Sequence, residues 1–231
     1  MTETEVDRTD RHSSRLRWLV AAAVLLVVVI AGSWLVGFSS VFGVRTVTVS
    51  GEHRVSSNQI LAAAAIPNGA ALARLDTAAI QSRVSRIPAI RSVRVSTAFP
   101  STVRITVSER VAVGYRPDGA SAVLIDAQDV AFATEPKAPR LPQLPVSGDG
   151  AAMAAAASVA GSLTPAFREV VFRIAVPSTQ TITLTLTDGR TVMWGGTDRS
   201  AEKAKLLPVL VHQPGQYFDV SDPSSVISRG A

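Results

Sequence analysis

The chain predicts an α+β fold carried behind a single N-terminal transmembrane helix, and three observations predict it. Residues 18–44 hold no charged side chain, directly after Arg15 and Arg17. Residues 43–110 then read as strand, helix, helix, strand, strand. Residues 111–222 are dominated by strand signals, with two helical stretches among them. Two helices covering one face of a small mixed sheet, followed by a mostly antiparallel β domain with flanking helices, would bury the apolar stripes these patterns create.

The core of the uncharged run, WLVAAAVLLVVVIAGSWLV (18–36), matches the ~20 apolar residues that a helix needs to cross ~30 Å of hydrocarbon. An anchor over 18–38 is expected. Arg8, Arg11, Arg15 and Arg17 precede it and no basic residue follows before Arg45. The positive-inside bias therefore keeps the N-terminus in the cytoplasm and exports the rest, as a single-pass type II protein of the plasma membrane. A cleaved signal peptide is the rival reading, with Ala31-Gly32-Ser33 as its processing site, but signal cores run only ~7–15 residues. The tail 1–17 has almost nothing apolar to bury and is expected to be disordered.

Taking the tail's four arginines and four acidic residues from totals of 23 and 18 leaves 19 basic and 14 acidic residues outside, so the exported part keeps the whole +5. That surplus would suit anionic surroundings, lipid head groups or wall polymers, but ordinary solubility is the preferred reading. There is no cysteine, which removes disulfides, thiolate nucleophiles and Cys-based metal sites together.

In the first exported domain, Val47 and Val49 alternate with threonines and the strand closes at Ser50-Gly51. Ser56-Ser57 caps a helix to about Ala65 with Ile60, Leu61 and Ala64 on one face, ended by Pro67-Asn68-Gly69. Asp76 or Thr77 starts a second helix with Ile80, Val84 and Ile87 inward and Arg83 and Arg86 toward water, stopped at Pro88. Val93 and Val95, then Val103, Ile105 and Val107, alternate with polar residues in two strands joined at 98–101.

In the distal domain, 122–126 and 130–133 flank a turn at Ala127-Gln128-Asp129, and Pro136, Pro139, Pro142 and Pro145 hold an extended connector. Residues 151–161 form a helix by alanine propensity. Residues 167–176 read as a strand, 181–187 and 191–194 as a hairpin around Asp188-Gly189. Thr197-Asp198 caps a helix containing Lys203, Leu206, Leu207 and Leu210. A last short strand, 217–221, comes before a flexible polar tail, 223–231.

This order resembles the cell-division family FtsQ/DivIB. The resemblance rests on FGVRTVTVSG (42–51), IPAIRSVRVS (87–96) and FPSTVRITVSER (99–110) in a region similar to a POTRA domain, then on LIDAQDVAF (124–132), LTLTDGRTVMWGG with a following helix that carries Lys203, and YFDVSDPSSVISR (217–229). Ala112 stands where the family often has proline, and Gln128-Asp129 where it often has a turn glycine. The resemblance implies a non-enzymatic division scaffold at the septum, with no cofactor. It also implies that the last strand and the segment after it bind the single-pass division proteins FtsB and FtsL, and that the POTRA-like domain engages other divisome members. Only three lysines among many alanines and arginines go with a high-GC bacterium such as an actinobacterium.

The physical route for such binding is an edge strand whose unpaired N–H and C=O groups accept a partner strand. Tyr217, Phe218, Asp219, Val220, Ser221, Asp222, Ser225, Val226 and Ile227 are the expected contact residues. The same aromatics also read as core, because period-two alternation turns one of them inward. Chemistry is harder to find. His12, His53 and His212 are scattered without ligand spacing, and no Gly-x-Ser-x-Gly elbow or Ser-x-x-Lys pair occurs. Asp126 with Asp129 and Asp219 with Asp222 could pair as acid and base, but turn geometry and strand-end solvation explain both pairs without catalysis. Gly195-Gly196 lacks a P-loop lysine and suits a strand-to-helix turn. The arginines at 83, 86, 91, 94 and 104 make a solvated face rather than a nucleic-acid site. An export or outer-membrane assembly component and a membrane-anchored wall enzyme are the competing readings; a barrel has no room in the residues that follow.

Overall fold

The computed structural model describes residues 17–30, 32 and 43–230. Residues 17–30 and 32 are helical with exposed side chains, and among the described residues no helix is long and apolar enough to cross a membrane. The rest of the expected anchor, and the tail apart from Arg17, lie outside the described residues. The chain divides into two compact units, one holding the residues up to Ile87 with Ser92–Ser108, the other holding Pro88–Arg91 and everything from Glu109.

The first unit contains β1 (Thr46–Ser50), α1 (Ser57–Ala64), α2 (Thr77–Val84), and all but the end residues of β2 (Ile90–Ala98) and β3 (Thr102–Glu109). Its sheet has the order β1-β3-β2, and β1 runs parallel to β3 with Val49 opposite Ile105. A parallel neighbour requires a crossover, and α1 with α2 supplies it. Both helices start as the sequence predicts, Ser56 Oγ accepting from the Gln59 N–H (3.2 Å) and Asp76 Oδ1 from the Ala79 N–H (2.9 Å). Ile60, Ala64, Ile80 and Val84 are buried beneath them with Val103, Ile105 and Val107 of β3. Leu61, expected on that face, is instead exposed. Arg83, expected in water, donates from Nε and Nη2 to the Ala64 carbonyl (3.0 and 2.7 Å), serving an orphan acceptor at the C-terminus of α1.

The second unit contains β4 (Gly114–Asp118), β5 (Ser121–Ile125), β6 (Ala131–Glu135), α3 (Gly150–Ser162), α4 (Pro165–Val170), β7 (Val171–Ala175), β8 (Ile182–Leu186), β9 (Thr191–Gly195), α5 (Ser200–Leu210), β10 (Tyr217–Asp219) and β11 (Ile227–Arg229). The strands form a β4-β5-β6 sheet and a β11-β10-β9-β8-β7 sheet. One residue of the proline connector splices them. Gln143 bridges Tyr115 on one side and Arg173 on the other, through Tyr115 N–H to Pro142 O, Leu144 N–H to Tyr115 O, Gln143 N–H to Phe172 O and Ile174 N–H to Gln143 O, all at 2.8–3.0 Å.

Helices cover one face. α3 is alanine-rich for a steric reason: Ala155, Ala156, Ala157, Val159 and Ala160 are buried, and a methyl at Gly161 would sit 2.7 Å from the Ala127 Cβ, so small side chains permit the close approach. The strand expected at 167–176 is helical in its first part, since Thr164 Oγ1 caps the Phe167 N–H (3.2 Å) and Pro165 occupies the first turn. α5 begins later than expected: its N-cap is Arg199, in the left-handed region at φ 51°, and not Thr197 or Asp198.

Candidate functional site

The expected contact strand is not the edge. β10 lies between β9, which it joins in parallel, and β11, which it joins antiparallel. The tail expected to be flexible therefore supplies the outermost strand, and Ile227, Ser228 and Arg229 are all exposed there. Phe218 and Val220 are fully buried. The Arg190 guanidinium stands 5.7 Å from the Phe218 ring centroid, and the Val220 N–H is bonded to Met193 O (2.9 Å). Tyr217 and Asp219 are half-buried, Val226 packs against the core, and Ser221, Asp222, Ser225 and Ile227 are exposed.

The ladder shows which main-chain groups of β11 are available. In the parallel pairing with β9, Thr191 N–H goes to Gln216 O (3.0 Å) and Val220 N–H to Met193 O, so the alternation gives the N–H and C=O of Phe218 to β9. Tyr217 and Asp219 then serve β11 opposite Arg229 and Ile227. Between those two, Ser228 turns its N–H and C=O away from the sheet. Its hydroxyl donates to Pro214 O (3.1 Å).

The turn leading into β11 is held by its own polar groups. Asp219 Oδ1 accepts from the Ser221 N–H (2.9 Å) and hydroxyl (2.6 Å), and Asp222 Oδ1 from the Ser224 N–H (3.0 Å), the Ser224 hydroxyl (2.6 Å) and Arg199 Nη1 (3.2 Å). The Ser224 hydroxyl, then its N–H, and the Arg199 charge beyond them keep the Asp222 carboxyl below the usual carboxylate range. Asp126, buried, accepts from the Gln128 and Val130 N–H groups (both 2.9 Å) and from Arg110, while Asp129 adopts φ 64° and pairs with Arg116. Every one of these four carboxylates thus has a turn or pairing role, and Asp129 stands in the left-handed position where a glycine would be at ease.

Lys203 is fully buried and donates to the Gly196 carbonyl (3.0 Å), with Asp198 Oδ2 at 3.7 Å. It holds the β9-to-α5 turn, in which Gly195 has φ 76° and a methyl added at its Cα would lie 2.8 Å from the Ser221 Cβ. Gly195→Ala is expected to lower stability by about 1–3 kcal/mol through that strain and contact, measured as the denaturation midpoint. An unchanged midpoint would mean that the turn and Ser221 separate freely.

Sequence reasoning missed Ser228, Arg229 and Gln143. The available signal for β11 was the β-branched pair Val226-Ile227 after the Asp222-Pro223-Ser224 turn.

Comparison with known proteins agrees with this architecture. Residues 42–110 match the model of the POTRA domain, FtsQ-type, and residues 114–222 that of the cell division protein FtsQ/DivIB C-terminal region. Cell division protein FtsQ of Mycobacteroides abscessus is 39% identical over 211 residues, covering 90% of this chain and 68% of that protein. FtsQ of Streptomyces collinus is 35% identical over 236 residues, covering 94% and 89%. The major extracytoplasmic domain of DivIB from Geobacillus stearothermophilus overlaps 45% of this chain and 92% of its own at a TM-score of 0.37 and 19% identity, too weak a likeness to argue from. With two family models in the right order and relatives matched along most of their length, the chain belongs to the FtsQ/DivIB family of cell-division proteins.

Proposed function

We propose that the chain is a membrane-anchored division scaffold at the septum that works by binding and not by catalysis. In this reading residues 18–38 form the anchor, with the N-terminus in the cytoplasm and the remainder outside. The 43–110 domain engages other divisome members. The 111–222 domain, together with β11 beyond it, binds FtsB- and FtsL-like single-pass proteins. Holding partners on one membrane raises their effective concentration, so individually weak contacts suffice.

The observation that carries the reading is the outer edge of β11, which no strand covers among the described residues, with Ser228 turning one N–H and one C=O outward beside the exposed side chains of Ile227 and Arg229. A partner strand added there pairs with the main chain and is selected by the alternating side chains. The expected contact set 217–227 contributes through its outer members, Tyr217, Asp219 and Ile227, while Phe218 and Val220 support from beneath.

Ser228→Pro in the full-length chain is the direct test. Proline is tolerated on an edge strand where the lost N–H faces solvent, so circular dichroism and the melting temperature should hold while co-purification of the FtsB/FtsL-like partner from membranes drops at least tenfold. Full partner recovery would remove strand addition at β11 from consideration. Val220→Pro cannot make this distinction, since its N–H is spent on Met193.

A further inference from the structure

Among the described residues, one sheet face of the first unit is exposed along most of its length. On β1 the outward residues are Thr46, Thr48 and Ser50; on β2 Ser92, Arg94 and Ser96; on β3 Arg104, Thr106 and Ser108. All of them are exposed. These positions carry hydroxyls and guanidinium groups and no carboxylate, while Ile90 and Ala98, which share their parity at the two ends of β2, are buried and half-buried. The one acidic residue on the three strands, Glu109, closes β3 and shares the parity of Val103, Ile105 and Val107, so it belongs to the other face.

Three of the five arginines that look alike in the sequence are thus told apart. Arg83 is consumed by the Ala64 carbonyl, whereas Arg94 and Arg104 stand on the open face, Arg104 at the register position opposite Thr48 in the central strand. Arg45, exposed one residue before β1, is the first charge after the uncharged stretch that begins at Trp18.

We propose that this hydroxyl-arginine face docks on anionic phospholipid head groups. The charge is complementary, and phosphate oxygens accept from both hydroxyls and guanidinium forks. The tether is short as well: β1 starts eight residues past Phe38, the last residue of the anchor in this reading, so at ~3.3 Å per residue the sheet begins within about 26 Å of the membrane surface and can reach it. Each arginine near an anionic leaflet favours the docked state by about fivefold, within a Debye length of the surface. The inference rests on the membrane-anchor reading above.

The absence of cysteine makes the test clean. The full chain is placed in nanodiscs of phosphatidylcholine, with or without phosphatidylglycerol at about three parts in ten, and carries one fluorophore on either Thr106→Cys of the open face or Asn58→Cys of the exposed side of α1. Quenching is read from head-group spin-labelled lipid. The expected result is quenching at position 106 only with phosphatidylglycerol, reversed by 0.5 M salt, and an about thirtyfold lower docked-to-undocked ratio when Arg94→Thr and Arg104→Thr are combined. Equal quenching at 58 and 106, or no dependence on lipid charge, overturns the proposal. So does binding of an anionic wall polymer at this face with no response to lipid. Co-elution of the chain with the discs is scored separately, because its loss refutes the anchor, whereas an unquenched chain retained in the discs refutes only the docked face.

Discussion

Ile105→Asp in the full-length chain should abolish the cooperative melting of the first unit and leave its amides in β1 to β3 exchanging freely with solvent. β3 is the central strand of three, Ile105 has no exposed surface, and it faces Val49 across the parallel pair. Aspartate there forfeits about 1.5–3 kcal/mol of apolar burial and places a carboxylate where no water reaches, so it must be desolvated or protonated. The combined loss, upward of about 4 kcal/mol, is the size at which a small domain stops folding. Val95→Asp is the useful comparison: Val95 is half-buried on β2, and water can reach the new carboxylate, so a smaller loss is expected. Hydrogen exchange read by mass spectrometry locates the effect, and native protection in the β3 peptides of the Ile105 variant would show that the inward row is assigned to the wrong face.

Phe218→Ala should cost about 3–5 kcal/mol of stability while Tyr217→Ala, one residue earlier, costs under about 1.5 kcal/mol. The two aromatics look equivalent as contact residues in the sequence. In the fold Phe218 is completely buried under the Arg190 guanidinium and Tyr217 is half-exposed on the other face. Urea midpoints with unchanged m-values provide the comparison. Partner capture by Phe218→Ala, assayed well below its melting temperature, should persist, because the side chain does not reach the surface. A Phe218 variant with the parent's midpoint and no partner would restore the aromatic to the binding surface and displace it from the core.

Much of the architecture was readable in advance because its determinants are local. Ser56 and Asp76 cap their helices as expected, since a cap needs only a side-chain oxygen three residues before an N–H. The Asp188-Gly189 hairpin and the alternation of Val103, Ile105 and Val107 are legible for the same reason. Where reading failed, two local rules competed or a distant group intervened. Phe167 and its neighbours are β-prone, yet Thr164-Pro165 is a helix start and prevails. Arg83 satisfies the amphipathic pattern as a solvent residue, yet the open end of α1 claims it. Gln143 sits among prolines that argue against any strand, and becomes a splice because β4 and β7 both present free main-chain groups to it.

Spacing along the chain is enough to reveal the apolar N-terminal run, the two-part order of elements, the family, and the inward rows of β3 and β8. Which strand is outermost was decided only by the tertiary structure. Strand 217–219 and strand 227–229 are equally short, and neither one's side chains state how many neighbours it has. Edge status is a property of the whole sheet: β10 gained its second neighbour only when the Asp219 and Asp222 turns folded the last residues back beside it, leaving Ser228 to face outward.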